Sequence, residues 1–274
     1  MEQPEKLQDK YIVIKGINLH YVDWGNEKRP IMLLVHGLQD CAHSWDIFAA
    51  SMAKDYQVLA IDLRGHGDSQ WSSTAAYRLK DYVQDITGFI DELKLQNIVY
   101  IGHSAGGRDA MAYIASHSDK IERLIIADID PLGFNPESSR MRTGFKSELD
   151  EWDSLKAVIE RLRQRSPGAS PEILRHHALC MTRDLPGGRR IWKRDKAILP
   201  AYNRPDLWAN YRKINCPTLI IRGENSAILT REVAHKMVEA LPVAKLRELK
   251  SAGHWCYDDN LSDFEAAVRE FLSN

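Results

Sequence analysis

The order of apolar segments along the chain is the feature that most constrains its fold. Short apolar runs alternate with amphipathic helical patterns over most of the 274 residues. A strand that is buried on both faces gives such a continuous apolar run, and strands that alternate with helices are typical of a mostly parallel sheet covered by helices. We therefore predict an α/β fold. The predicted buried strands lie at 31–35, 58–62, 98–102, 124–128 and 218–222, with a weaker sixth at 245–249.

The start of the chain follows a different pattern. Apolar and polar side chains alternate at 11–14 and 17–24, on either side of a Lys15-Gly16 turn, which predicts an antiparallel hairpin at one edge of the sheet. A Ser262-x-x-Glu265 sequence matches a capping box and predicts where the last helix begins. Helical periodicity predicts helices at 45–52, 79–93, 105–115, 231–241 and 263–272.

One long interval breaks the alternation. Residues 131–213 contain no convincing strand, only short helical patterns interrupted by prolines. We predict that this interval is a helical cap inserted into a core formed by residues 1–130 and 214–274. The cap interval carries 17 Lys and Arg but only 10 Asp and Glu, in a chain whose net charge is -1. A solvated basic face explains this excess most simply, but a basic cap over a pocket would favour an anionic substrate.

Composition and spacing exclude several classes of protein. The apolar fraction of 44% and the charged fraction of 27% are those of an ordinary globular protein. The balanced charge gives no reason to expect a nucleic-acid partner, and the longest apolar runs are far shorter than the roughly 20 residues of a membrane span. The charged first ten residues do not resemble a signal peptide, so we expect a cytoplasmic protein. Cysteine and histidine spacings match no metal motif, so we predict no metal site.

The sequence GHSAG at 102–106 matches G-x-S-x-G, the pattern of a nucleophile elbow, in which a serine occupies a tight turn between a strand and a helix. A predicted strand ends at this motif and a predicted helix follows it, which is the context that the motif requires. Gly102 and Gly106 would let the strand and the helix approach closely. We predict that Ser104 is a nucleophile whose hydroxyl projects from the end of the strand.

A nucleophilic serine needs backbone N–H donors where negative charge develops on the attacked carbonyl. Ala105, directly after Ser104, can supply one donor. We expect the second from Leu38, in the sharp His36-Gly37-Leu38 turn that follows the strand at 31–35. His36 is interpreted as a structural residue of this turn. Ala105 and Leu38 are therefore the predicted oxyanion hole.

A base must reach the Ser104 hydroxyl, and His254 is the best candidate. It lies between the predicted strand at 245–249 and the last helix, on a loop in which Gly253 permits close approach. The other histidines have weaker claims. We therefore predict that His254 takes the proton of Ser104.

These motifs make the chain resemble the α/β-hydrolase superfamily over essentially its whole length. His36-Gly37, the 102–107 segment and Gly253-His254 carry the resemblance, supported by the DLRGHGDS segment at 62–69. The resemblance implies a mostly parallel eight-stranded sheet flanked by helices, with an inserted helical cap. It also implies a triad of serine, acid and histidine that works without a cofactor.

The acid of the triad departs from the pattern of most members. In most relatives the acid follows the strand corresponding to 218–222, but here Ala227 stands where an aspartate is expected. A subgroup that includes a cofactor-free amidase of a dicarboxylate has its acid after the preceding strand instead, and that position corresponds to Asp128. We therefore expect Asp128 to orient His254. Glu224 and Asp130 are the alternatives.

Together these residues predict acyl transfer by a serine hydrolase of the carboxylesterase type. We expect a carboxylic ester of a small molecule as substrate and an acyl-enzyme intermediate. An amide, a lactone or a carbon-carbon bond in a carboxylate-bearing substrate remains open, and so do a cofactor-free dioxygenase and a non-enzymatic ligand receptor. We expect a small-molecule substrate that the basic cap would favour as an anion, no membrane or nucleic-acid partner, and a monomer or homodimer.

Overall fold

An eight-stranded sheet forms the centre of the computed structural model, which describes residues 7–273. Its order is β1-β2-β4-β3-β5-β6-β10-β11. The β1–β2 and β2–β4 pairs are antiparallel and all other neighbours are parallel, which confirms the mostly parallel sheet and the hairpin at its edge. The strands are β1 Gln8–Ile14, β2 Ile17–Asp23, β3 Ile31–Val35, β4 Gln57–Ile61, β5 Ile98–His103, β6 Ile121–Ala127, β7 Glu151–Trp152, β8 Thr182–Asp184, β9 Arg190–Trp192, β10 Thr218–Gly223 and β11 Ala244–Leu249.

Helices flank this sheet, and of the six α-helices described outside the cap interval, five begin and end within two residues of the predicted bounds. The helices are α1 Asp46–Met52, α2 Leu79–Glu92, α3 Ala105–Ile114, α4 Pro136–Lys146, α5 Leu155–Arg165, α6 Pro171–Cys180, α7 Ile198–Ala201, α8 Trp208–Tyr211, α9 Arg231–Glu239, α10 Cys256–Asp259 and α11 Leu261–Leu272. Short 3₁₀ helices lie at Ala42–Trp45, Ser118–Lys120 and Pro186–Gly188. The sixth, α10, is a single turn that no periodicity could predict.

The central strands hold the core. Every residue of β5 and β10 is buried, and β3 is buried after its first residue. By contrast β1 exposes alternate side chains, as expected for an edge strand with one face in solvent. Because β3, β5, β6 and β10 pair in parallel, their carboxyl ends meet at one edge of the sheet, where loops can carry functional groups.

The interval between β6 and β10 contains α4 to α8 and a small sheet of order β7-β9-β8. The prediction that no strand lies in 131–213 is therefore wrong. These strands have only two or three residues each, too few to show the alternation by which a strand is detected in sequence. A second apolar cluster holds the interval together and includes Val158, Leu162, Leu174 and Trp192. Cys41, in the turn after β3, belongs to that cluster, and Leu261 packs against both this cluster and the main core.

The last helix begins differently from the prediction. It starts at Leu261, and the side chain of Asn260 accepts the backbone N–H of Asp263 at 3.2 Å. The capping box at Ser262 and Glu265 is therefore wrong, because Ser262 lies inside the first turn and Glu265 pairs instead with Arg269. Asparagine is as good an N-cap as serine, so Asn260 and Ser262, two positions apart, compete at this helix start.

Over residues 7–273 we find no helix with both the length and the apolar character that a membrane crossing requires.

Candidate active site

The turn between β5 and α3 carries Ser104 in a strained conformation. Its φ is 52° and its ψ is -116°, a combination that L-amino acids rarely adopt. The turn is tight because a Cβ atom on Gly102 would lie 2.5 Å from the carbonyl oxygen of Gly106, and a Cβ atom on Gly106 would lie 2.4 Å from that of Val35. The glycines of the motif are thus required for the close approach of strand and helix.

Three of the predicted residues form a hydrogen-bonded chain at the carboxyl edge of the sheet. The Nε2 atom of His254 lies 3.0 Å from Oγ of Ser104, and its Nδ1 atom lies 2.8 Å from Oδ2 of Asp128. The ionised Asp128 carboxylate can only accept, so opposite it Nδ1 of His254 carries the ring proton and Nε2 is free to accept one. This arrangement is the one required to deprotonate a serine.

Asp128 follows directly after β6 and is fully buried. Its Oδ1 accepts the backbone N–H of Gly223 at 3.0 Å, and its Oδ2 accepts the hydroxyl of Ser226. Burial raises the pKa of the Asp128 carboxyl to about 7, although the bonds from Ser226 and Gly223 act in the opposite direction by stabilising the charged form. In most members of the family that the sequence resembles, the loop after β10 carries the acid itself. Here the end of β10 and that loop instead supply the hydrogen-bond donors that hold Asp128.

Two cap-interval arginines lie near His254. Burial, together with the positive charges of Arg165 and Arg204, lowers the pKa of His254 from its ordinary 6.5 to about 3. The imidazole is therefore neutral at neutral pH, which is the state that can accept a proton from Ser104. No local motif marks these two arginines, and prediction from sequence missed them.

The environment of Arg165 shows how the cap interval reaches the site. Its guanidinium stacks over the ring of Trp255 at 4.6 Å, and its Nη2 lies 3.7 Å from Asp258 and 4.0 Å from Asp40. Its Nε atom is buried without a hydrogen-bond partner among the described residues, as is that of Arg204. The guanidinium groups of Arg165 and Arg204 therefore each keep an Nε–H donor without a partner near the candidate base.

The two alternative acids lie elsewhere. Asp130 accepts hydrogen bonds from Arg204 at 2.6 Å, from Asn135 at 2.6 Å and from the amide of Leu132 at 2.7 Å, so it holds the start of the cap interval. Glu224 is exposed and accepts the amide of Ser251 at 2.9 Å. The structure brings Asp128 to His254 and brings neither alternative there.

The turn after β3 packs directly against the candidate nucleophile. A Cβ atom on Gly37 would lie 2.8 Å from the Cβ of Ser104, so a larger residue would clash. The predicted oxyanion donors lie next to this contact, because Leu38 directly follows Gly37 and Ala105 directly follows Ser104. Their role stays a prediction, and the close packing of the two turns supports it.

His36 uses both ring nitrogens within the core. Its Nε2 accepts the backbone N–H of Leu63 at 3.0 Å, so Nδ1 carries the proton and lies 2.7 Å from the carbonyl oxygen of Gly37. The side chain is fully buried. These bonds agree with its interpretation as a structural residue of the turn.

His103, inside the elbow, has a role that sequence reasoning missed. Its Nε2 lies 2.9 Å from the carbonyl oxygen of His254, and the two ring centroids are 4.8 Å apart. Because a carbonyl only accepts, Nε2 of His103 carries the proton, and burial lowers the pKa of His103 to about 3 and keeps the ring neutral. His103 therefore anchors the loop that presents the candidate base; its position beside Ser104 was the available signal.

A cavity of about 310 Å³ lies between the cap interval and the turn after β3. Gln39, next to the predicted oxyanion donor Leu38, lines it, and both polar atoms of its buried side-chain amide lack hydrogen-bond partners among residues 7–273. The charged lining is balanced between three cations and three carboxylates. These are Lys146, Arg194 and Lys196, and Glu148, Asp150 and Asp195.

Comparison with known proteins gives a consistent fold. The sequence model of a family described as "alpha/beta hydrolase fold" matches residues 30–261. The chain is 28% identical over 259 residues to the sn-1-specific diacylglycerol lipase ABHD11 of Mus musculus, an alignment that covers 91% of this chain and 83% of that protein. It is 25% identical over 245 residues to the 2-(acetamidomethylene)succinate hydrolase of Mesorhizobium japonicum, covering 89% and 88%.

A solved structure agrees with these relatives. The crystal structure of E-2-(acetamidomethylene)succinate hydrolase superposes with a TM-score of 0.85 at 24% identity, covering 98% of this chain and all of that one. At this identity the likeness shows the fold. The relatives named here share hydrolytic activity in their names but differ in the substrate that each name gives.

Proposed function

The chain belongs to the α/β-hydrolase family, and we propose that within it the protein is a serine hydrolase that cleaves carboxylic esters of small molecules through an acyl-enzyme. Family membership implies a hydrolase with a small-molecule substrate. One observation carries the finer proposal, namely the hydrogen-bonded chain from Ser104 through His254 to Asp128, with distances of 3.0 and 2.8 Å. An ester is proposed as the bond cleaved because esters are chemically the easiest acyl donors.

The proposed mechanism begins with proton transfer. Nε2 of His254 takes the Ser104 proton as Oγ attacks the ester carbonyl, and the Asp128 carboxylate stabilises the resulting imidazolium. The amides of Leu38 and Ala105 hold the negative oxygen of the tetrahedral intermediate. His254 then gives its proton to the departing alcohol, which leaves the acyl group on Ser104.

Deacylation repeats these steps with water in place of serine. His254 takes a proton from water, the hydroxide attacks the acyl carbonyl, and collapse of the second intermediate returns the proton to Oγ of Ser104. Each step uses side chains and backbone amides of this chain, so the proposed cycle includes no cofactor.

Turnover of p-nitrophenyl butyrate by Ser104→Ala tests this proposal. We expect kcat to fall by about 10⁶-fold, by analogy with other serine hydrolases, because the nucleophile is removed. Ser116→Ala, at an exposed serine just after α3, is the matched control and should keep full activity. Retention of more than a few per cent of activity in Ser104→Ala, measured on protein free of wild-type enzyme, would contradict the proposal.

Counting turnovers and measuring oxygen consumption separate the proposed hydrolase from the other two candidate functions, a ligand receptor and a dioxygenase. A ligand receptor would release at most one equivalent of p-nitrophenol per chain, whereas the proposed hydrolase turns over many times. A cofactor-free dioxygenase would consume oxygen with an aromatic hydroxy-ketone, which the proposed enzyme does not do.

The second candidate is a carboxylate-bearing substrate that is cleaved at an amide, a lactone or a carbon-carbon bond. The observation that favours it is the pair of buried guanidinium groups, Arg165 and Arg204, whose Nε atoms have no partner among the described residues and whose charge reaches His254. The relative named as a hydrolase of an acetamidomethylene succinate has a dicarboxylate in its name, which supports this candidate. A cytoplasmic location and a monomeric or homodimeric state stay predictions from sequence.

A further inference from the structure

A second group of titratable side chains lies at the hairpin edge of the sheet, outside the candidate active site. Asp9 on β1, His20 on β2 and His43 in the 3₁₀ helix Ala42–Trp45 converge there. Oδ1 of Asp9 lies 3.2 Å from Nε2 of His20 and 3.0 Å from Nε2 of His43. The three atoms all lie within 4.8 Å of one another.

The other nitrogen of each histidine faces a carboxylate. Nδ1 of His20 lies 2.6 Å from Oδ2 of Asp62, and Nδ1 of His43 lies 3.0 Å from Oδ2 of Asp46. Carboxylates only accept, so with an ion bound each Nδ1 would keep its ring proton on its carboxylate and each Nε2 would offer its lone pair on the side of Asp9. Three possible ligand atoms thus converge on one point, and a bound cation would hold them together.

We propose that Asp9, His20 and His43 bind a divalent transition-metal ion of the zinc type. Ligands of a tetrahedral zinc ion, each at roughly 2.0–2.1 Å, are about 3.3 Å apart, and the distances of 3.0 and 3.2 Å are close to that value. Two imidazoles and one carboxylate suit zinc, nickel or copper, whereas calcium and magnesium prefer oxygen ligands. The carboxylates on both Nδ1 atoms orient the rings as in known zinc sites.

The surroundings allow an ion to enter. The His20 side chain is 1% exposed, that of His43 is 18% exposed and that of Asp9 is 55% exposed, so the site is open on the Asp9 side. Three protein ligands leave one tetrahedral position for water. The ligands come from positions 9, 20 and 43 in three separate elements, which is why no sequence spacing predicts them.

Metal binding would connect the edge hairpin to the segment that follows the predicted oxyanion turn. His43 is also held from the cap interval, because Nε2 of His176 on α6 lies 2.9 Å from its carbonyl oxygen and 3.1 Å from Oδ2 of Asp46. None of the three ligands has a hydrogen bond with the Ser104–His254–Asp128 chain among the contacts of residues 7–273. The ion is therefore proposed as a structural ligand that does not take part in ester cleavage.

Zinc titration of the full chain, purified without a histidine tag, tests this site. Isothermal calorimetry should show about one equivalent of Zn²⁺ bound, and Co²⁺ in its place should give the strong visible absorption of a four-coordinate ion. Asp9→Asn and His43→Gln should each weaken Zn²⁺ affinity by about 10–100-fold, a range taken from substitutions around known zinc sites. Saturating Zn²⁺ should raise the Tm of the wild type but not that of the variants.

A control variant makes the test specific. His235→Gln removes an exposed histidine on α9 and should bind Zn²⁺ as the wild type does. Asp9 is a half-exposed residue on an edge strand, so Asp9→Asn keeps the proposal testable even if His43→Gln fails to fold. Absence of one-equivalent binding to the wild type, or unchanged affinity in Asp9→Asn, would overturn the proposal. Because the readout is binding, its failure is distinct from failure of the proposed esterase.

Discussion

At the scale of single residues, Ser104 and Asp128 share a positive φ, which is uncommon for residues other than glycine. Their φ values are 52° and 50°, in the left-handed region. Such strain persists where surrounding contacts fix the chain, and here the sheet provides them. The amide of Ser104 donates to the carbonyl oxygen of Ala127 at 3.0 Å, and that of Asp128 donates to Ile221 at 2.8 Å. Hydrogen bonding between neighbouring strands thus continues into both candidate catalytic residues.

The identity of the acid gives a prediction at this scale. Asp128→Asn should lower kcat by about 10⁴-fold, because an amide can neither stabilise the imidazolium nor fix the tautomer of His254 as a carboxylate does. Glu224→Gln is the matched control and should cost little, since Glu224 is exposed and bonds the amide of Ser251. Steady-state kinetics on one ester measures both. A larger loss in Glu224→Gln than in Asp128→Asn would move the acid to the loop after β10.

Local motifs allowed us to predict the candidate residues at the ends of the strands. The contacts that hold those residues in place depend on the tertiary fold. Ser104 and His254 could be predicted because their neighbours in sequence, glycines and strands, are the groups that position them. Asp128 could be predicted only because Ala227 occupies the commoner position of the acid. The Ser226 hydroxyl on Asp128 could not be predicted, because a contact between residues 98 positions apart has no local pattern.

At the scale of elements, the carboxyl end of α5 brings a positive charge to the candidate base. Arg165 is the last residue of α5, is almost fully buried, and lies between Trp255, Asp40 and Asp258. Together with burial it lowers the pKa of His254. A helix of the cap interval therefore tunes a residue of the core.

Removing that charge should shift the pH profile. Because Arg165 disfavours the imidazolium, Arg165→Gln should raise the pKa of His254 and move the acidic limb of kcat/KM to higher pH. Arg165→Lys keeps the charge and should leave the limb close to that of the wild type, as should Arg163→Gln, an exposed neighbour on α5. An acidic limb that stays in place or moves to lower pH in Arg165→Gln would contradict this electrostatic role.

Elements were predictable where the apolar pattern was long enough. The strands of the central sheet lie within three residues of their predicted bounds, because continuous burial gives an unmistakable apolar run. The strands β7, β8 and β9 escaped prediction because they are two or three residues long and are stabilised by pairing with one another. The three ligands of the proposed metal site escaped for a related reason, since only folding brings β1, β2 and the 3₁₀ helix together.

At the scale of the whole molecule, the basic cap interval is fastened to core residues by ion pairs and hydrogen bonds. Arg204 pairs with Asp130 at 2.6 Å, and Nε2 of His177 on α6 lies 3.1 Å from the carbonyl oxygen of Ser44. Part of the positive charge of the cap interval is thus paired with carboxylates where the interval joins the core. The lining of the cavity of about 310 Å³ is balanced in charge. A preference for anions would rest on the Nε atoms of Arg165 and Arg204, which have no hydrogen-bond partner among the described residues.

The preference for an anionic substrate can be measured directly. Succinate half-esters should have a higher kcat/KM than neutral butyrate esters of the same alcohol, and the ratio should shrink as salt is added, because ions screen the attraction. Arg163→Gln removes a charge that is exposed to solvent, so it should leave the ratio of the two kcat/KM values unchanged. A ratio that favours the neutral ester, or one that salt does not change, would contradict the anionic preference.

The central claim is that His254 activates the hydroxyl of Ser104, and reaction with a labelled fluorophosphonate followed by peptide mass spectrometry tests it most directly. We expect one adduct per chain, on the peptide that contains Ser104. The adduct should be absent from Ser104→Ala and should form far more slowly in His254→Gln. An adduct on another serine, no adduct at all, or an equal labelling rate in His254→Gln would contradict the claim.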